Sequence, residues 1–293
     1  MVWFILASCS ALLSAAAAII QKKVLLRAHA LEFSFLISLI VMVLSMYVPF
    51  TMNIAALPQP AVLIILGKSI LGGVAFLLVM MALEREQISS ILPLLGLTPA
   101  VTALVSFLAT GEVLKGWEWI GIGLVVVGAY LLERGPAGNF SPFVSLQHLP
   151  ASHYYILGAL GLFAVSSVAD KLLVTGYNTD PRVVLVYQHI VYCFIFGLLL
   201  VVRRIPARLV FQKGREHWPF LVSIGILTIA YRYTQLEATK DAPVALVLAV
   251  KRTSILYASL VGGKLFSDDR LRVRLAGASL IVASGFVILR NVQ

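Results

Sequence analysis

What most limits the folds open to this chain is the recurrence of long apolar runs. Crossing about 30 Å of hydrocarbon as a helix takes about 20 apolar residues. Ten runs approach that length, over 2–21, 32–50, 61–83, 88–110, 116–133, 153–175, 183–202, 217–237, 242–264 and 271–290. With 60% hydrophobic and only 12% charged residues, the chain has too little polar surface to hold so many apolar helices in water. The expectation is an all-α integral membrane protein of ten transmembrane helices. The first run, MVWFILASCSALLSAAAAII, lacks a basic leader and reads as the first span rather than a cleaved signal.

The runs divide into two sets of five around the Pro/Gly-bearing stretch RGPAGNFSPFVSLQHLPASH. Three domains follow: a first five-helix repeat over 1–134, a linker over 135–152, and a second five-helix repeat over 153–293. The halves echo each other weakly. Lys22 and Lys171 close the first helix of their halves, and GIGLVVVGAYLLER parallels GASLIVASGFVILR. Because five is odd, the second copy enters the membrane from the opposite side, which makes the pair an inverted-topology repeat. In transporters such symmetry puts the substrate site near the midplane, between the halves.

The net charge of +10 is carried mostly by short connections. The odd-numbered ones hold Lys22, Lys23, Arg27, Arg85, Arg134, the cluster Arg203, Arg204, Arg208, Lys213 and Arg215, then Lys264, Arg270 and Arg272. The even ones and the termini are poorer in basic residues, so the odd connections are expected in the cytoplasm and both termini outside. This positive-inside pattern accounts for the charge better than a nucleic-acid surface does. Cys9 and Cys193 both sit within apolar runs, so neither a disulfide framework nor a CxxC metal site is expected.

Against this background the run APVALVLAVKRTSILYASLVGG, 242–263, is anomalous. Lys251 lies about nine residues into it, about 13–14 Å deep, near the centre of the hydrocarbon. Facing lipid, Lys251 and Arg252 together would cost about 5–7 kcal/mol, and no Asp or Glu lies within a helical turn. Three explanations remain open: an ion pair with Asp170 or Glu237, an anion site facing a cavity, or snorkelling from a misplaced helix end. Ser254 follows on the Lys251 face, with Tyr257 a further turn on.

Other polar groups are placed to join a site. Tyr231 and Gln235 are four residues apart on one face of the eighth helix, beside Arg232. Tyr187, Gln188, His189 and Tyr192 lie in the seventh. His189 and Asp170 are the titratable candidates for proton coupling, although a core histidine and an interfacial Asp170–Lys171 pair explain them equally well. Lys68, Ser69, Ser10 and Ser14 are weaker signals, and Gly72, Gly73, Gly121, Gly128, Gly262 and Gly263 read as close-approach points between helices. Glu112 stands at a helix end near Lys115 and reads as structural.

The stretch from Ala82 to Gly135 resembles the EamA family of the drug/metabolite transporter superfamily, through Pro99 in LTP, the Gly111-Glu112 pair, and Gly121, Gly123 and Gly128. KRTSILYASLVGGKLF resembles it in the second half, with Lys264 where the family usually carries an acid. The resemblance implies a secondary transporter with a central cavity in the plasma membrane, whose partners are a small-molecule substrate and the lipid bilayer, with no cofactor and no metal. Phosphate translocators of the same superfamily resemble this chain in a Lys-Arg pair of a late helix that binds the anion. No HExxH, nucleophile elbow or metal-spaced acid pair points to an enzyme. The expected substrate is a small carboxylate or phosphorylated anion, bound by Lys251, Arg252, Ser254, Tyr257, Tyr231, Arg232, Gln235, Tyr187 and Gln188. Export of amino acids or amphipathic drugs is the alternative.

Overall fold

The computed structural model describes residues 1–52, 57–86, 92–133, 150–255, 257, 258, 261, 280, 283 and 287. Most of the tenth run, most of the linker, Lys264, Gly262 and Gly263 lie outside these residues. The described elements are helical: α1 (Val2–Leu25), α2 (Ala30–Ser45), α3 (Val48–Thr51), α4 (Gln59–Arg85), a 3-10 segment (Leu92–Leu97) running into α5 (Thr98–Thr110), α6 (Gly116–Glu133), α7 (Ala151–Lys171) continued by a π turn (Leu172–Gly176), α8 (Pro181–Val202), α9 (Ala207–Glu216), α10 (Trp218–Asp241) and α11 (Val244–Lys251). Among the described residues, five helical stretches are both long and apolar enough to cross a membrane, 2–25, 30–51, 59–85, 151–176 and 181–202. Leu63, Leu108, Phe194 and Val201 stand exposed, an outer surface suited to hydrocarbon rather than water. The chain is a membrane protein.

Local sequence sets the helix boundaries. Proline occupies the first turn of α4, α5, α8 and α10, where no intrahelical N–H is required. Gly111 ends α5 at φ 67°, a left-handed conformation that costs glycine little. The Asp180 carboxylate caps α8 by accepting from the Arg182 backbone N–H at 2.8 Å and from its guanidinium at 3.0 and 3.1 Å.

Packing pairs α1 with α10 and α4 with α7, α2 with α10 and α4 with α8, and α1 with α11 and α5 with α7. The central pairs are α2–α8 and α5–α11. Gly72 and Gly73 make the α4–α8 approach close. A Cβ at Gly72 would stand 2.5 Å from Tyr192 Oη, and one at Gly73 3.1 Å from the same ring. Gly225 does the same for α10, where a Cβ would meet Ile40 at 2.8 Å. For Gly123, by contrast, the space beside the Cα is open.

The lysines at the ends of α1 and α7 mark opposite ends of the bundle. Lys22 donates to Leu83 O at 2.6 Å and Glu86 O at 2.7 Å, closing the C-terminus of α4. Lys171 donates to Ala242 O, the C-cap of α10, and to Glu112 Oε1, both at 2.8 Å. Each ammonium thus meets the electron-rich carbonyl end of a helix. Trp3 and Ala7 share an apolar cluster with Ala238 and Ala242, so α7 ends where α1 begins. Two expected pairings are corrected here. Lys171 turns to Glu112 rather than to Asp170, and Glu112 reaches Lys171 and Ser106 (2.6 Å) rather than Lys115. Lys115 instead offers its backbone N–H to Glu118.

Candidate functional site

A cavity of about 170 Å³ lies in the interior of the bundle. The helices around it contribute the residues that their periodicity turns inward. From α10 these are Thr228, Tyr231, Arg232 and Gln235, from α7 Ser166, Ser167 and Asp170, from α8 Gln188, His189 and Tyr192, and from α1 Ser14 and Gln21. Leu95 and Thr98 face it at the start of α5, and Leu248, Lys251, Arg252, Ser254 and Ile255 at the end of α11 and just beyond. Phe76 and Phe163 add aromatic wall.

One carboxylate organises the polar side. Asp170, 2% exposed, receives Arg232 Nη2 on Oδ2 at 2.9 Å, and its Oδ1 stands 2.6 Å from Lys68 Nζ, an ionic contact that is not aligned as a hydrogen bond. Gln188 Oε1 accepts from both cations, from Lys68 at 2.6 Å and from Arg232 at 3.0 Å. Four side chains from α4, α7, α8 and α10 thereby close a buried knot in which two positive charges face one negative charge. Arg232 also reaches Gln235 Oε1 at 3.3 Å.

The remaining two cations have no such partner. Lys251 Nζ donates to Gln235 Oε1 and sits 4.6 Å from the centroid of the Tyr231 ring. Arg252 Nη2 donates to Thr98 Oγ1 at 2.9 Å, while its buried Nε finds no acceptor among the described residues. Neither has a carboxylate within 4.0 Å among the described residues. Some relief comes from the backbone, since both residues terminate α11, whose last carbonyls carry partial negative charge.

The expected ion pairs of Lys251 or Arg252 with Asp170 or Glu237 are therefore not formed. Asp170 is taken by Lys68 and Arg232, and Glu237 pairs with Lys240 at 2.8 Å. Of the expected binding residues, the cavity gathers Lys251, Arg252, Ser254, Tyr231, Arg232, Gln235 and Gln188. Tyr187 and Tyr257 are not among its lining. Tyr187 packs beside Leu57, Val183 and Val186 toward the start of α8, and Tyr257 is 38% exposed. His189 faces the cavity with Nδ1 3.0 Å from Leu185 O and its ring 5.3 Å from that of Tyr192.

Thr98 and the central role of Lys68 were missed from sequence. Lys68 carries the signal that singled out Lys251, a cation well inside an apolar run. Thr98 was flagged only by its neighbour Pro99. The 3-10 segment runs into α5, α11 ends at Lys251, and these two helices pack against each other beside the cavity.

Comparison with curated proteins finds no match. Among solved structures, one described as "Crystal structure of protein" shares the fold, with a TM-score of 0.73 and 15% identity over 98% of this chain and 96% of its own. Residues 1–146 match the EamA-like transporter family, which covers the stretch of Pro99, Gly111 and Glu112. Through that half the chain belongs to the EamA-like transporter family, part of the drug/metabolite transporter superfamily.

Proposed function

We propose that this protein is a secondary active transporter that carries a small anion, a carboxylate or a phosphorylated metabolite, by alternating access through the central cavity. The observation that carries this reading is the pair Lys251 and Arg252, both facing the cavity and neither matched by a carboxylate among the described residues. An arginine fork orients a carboxylate or phosphate, and a neighbouring ammonium adds a point charge. Phe76, Phe163, Tyr192 and Tyr231 offer apolar surface for the carbon skeleton of the solute. Export of zwitterionic amino acids ranks second, because Asp170, the carboxylate lining the cavity, is already engaged by two cations and leaves little for a substrate ammonium.

Ten spans in two inverted repeats fit the packing. Exchanging α1, α2, α4 and α5 with α7, α8, α10 and α11 leaves the most extensive helix pairings unchanged, and α1 and α7 run in opposite directions. The site would then lie where the halves meet, in the plasma membrane. His189 and Asp170 are the titratable groups available to couple transport to protons.

Counterflow into proteoliposomes tests the substrate class. Labelled mono- and dicarboxylates and phosphate monoesters should be accumulated by wild-type protein, and neutral amino acids should not. Accumulation of amino acids or cationic drugs, with no anion transported, would replace this reading by its alternative.

A further inference from the structure

Between α8 and α10 the chain inserts the ten-residue helix α9, ARLVFQKGRE, which is too short and too polar to span. Val210 is buried, and Gly214 rests on Leu36, where a Cβ would come within 3.1 Å of its side chain. Lys213 donates to Glu32 on α2 at 2.7 Å, so one side of the helix is fastened to the bundle by both packing and charge. At about 100° per residue, Arg208 and Arg215 fall within about 20° of each other, with Phe211 beside them on the same flank. All three are exposed. Phe211, 52% exposed, meets Phe35 of α2 edge to face at 6.4 Å and leaves the rest of its ring uncovered. Arg203 and Arg204 stand exposed in the turn leading into α9. None of these four guanidiniums has a carboxylate within 4.0 Å among the described residues.

We propose that this flank of α9 binds the headgroup of an anionic phospholipid, with Arg208 and Arg215 on the phosphate and Phe211 against the acyl chain. The chemistry is that of an amphipathic helix lying at the bilayer surface. The apolar ring enters the acyl boundary, and the long arginine stems reach back to the charged layer. Basic clusters beside a transmembrane helix attract anionic lipid by about 1 kcal/mol per Lys or Arg. Fold symmetry does not require the feature. The corresponding connection of the first half, between α2 and α4, carries the short α3 and has no Lys or Arg from Met46 to Pro58. Since α7 ends where α1 begins, the two connections lie at opposite faces of the bundle, and only one of them is built for anionic lipid.

The test uses the full chain, extracted from bilayers of phosphatidylcholine mixed with phosphatidylglycerol, with retained lipid read by native mass spectrometry. Wild-type protein should retain phosphatidylglycerol preferentially. The double variant Arg208→Gln/Arg215→Gln should lose that preference by roughly 10- to 30-fold, and Arg208→Lys/Arg215→Lys should keep most of it. Lys115→Gln, outside the cluster, should change nothing. Equal retention of both lipids by wild-type protein, or an unchanged preference in the Gln double variant, overturns the proposal. So does competition by inorganic phosphate at the concentration of the lipid, which would make the flank a site for a soluble anion.

Discussion

Among the described residues Arg252 is poorly satisfied, with one nitrogen on the Thr98 hydroxyl and its Nε on no acceptor. Asp170 is its opposite, a carboxylate with a cation on each oxygen. The two should therefore respond differently to truncation. Arg252→Ala or Lys251→Ala is expected to weaken anion binding by roughly 10- to 150-fold, the worth of one charge-assisted contact, while purified protein stays folded. Asp170→Asn strands Lys68 and Arg232 and should cost about 3–5 kcal/mol, seen as lost expression or a collapsed melting transition. Normal melting of Asp170→Asn would mean that the knot contributes little to folding. The cations were legible in the sequence because a charge in an apolar run stands out whatever its partner. The partners were not legible. Lys68 meets Asp170 across 102 positions of chain and Arg252 meets Thr98 across 154, and helical periodicity fixes a face without saying which helix that face will meet.

Helices are punctuated by residues whose effect is local, and their limits were read more readily than their interruptions. Runs expected over 2–21, 183–202 and 217–237 became α1, α8 and α10 with ends shifted by a few residues. The run 88–110 instead contains the 3-10 segment Leu92–Leu97, and the α-helix of 242–264 first ends at Lys251. Apolar content cannot report such breaks, because a 3-10 turn accommodates apolar side chains as readily as an α turn does. The basic cluster of 203–215 was counted as charge, and its period as α9 passed unread. Where a cap is visible its chemistry can be tested. Burial alone would raise the Asp180 carboxyl, but the Arg182 guanidinium and backbone N–H overcome that and hold it below the usual carboxylate range. A depressed carboxylate contributes stability that is present above its unfolded value of about 3.9 and is lost as pH falls through the lower folded value. Melting of wild-type protein should thus acquire a drop below about pH 4 that is smaller in Asp180→Asn, which retains the cap but not the charge. Parallel pH profiles for the two would remove Asp180 from the acid response.

At the scale of the whole molecule, the two ends of the bundle are closed by the same device with unequal strength. Lys22 ties α1 to α4 through backbone carbonyls, whereas Lys171 ties α7 to α10 and, through Glu112, to the end of α5 in the other half of the chain. The sequence suggested this likeness through Lys22 and Lys171, but only the packing shows that both lysines do the same work at opposite ends. Between the ends sits a cavity with more positive charge than the described carboxylates answer. Enclosing like charges costs folding free energy, and whatever neutralises that charge makes the protein harder to unfold. Cargo is thereby converted into heat resistance. An anion at about 100 times its dissociation constant should add about 2.7 kcal/mol to the folded state. A melting screen over a library of organic anions would then pick out the solute with no transport assay, and Arg252→Ala should flatten the same screen. If no anion raised the wild-type melting temperature while a neutral or cationic compound did, the cavity would serve another kind of cargo.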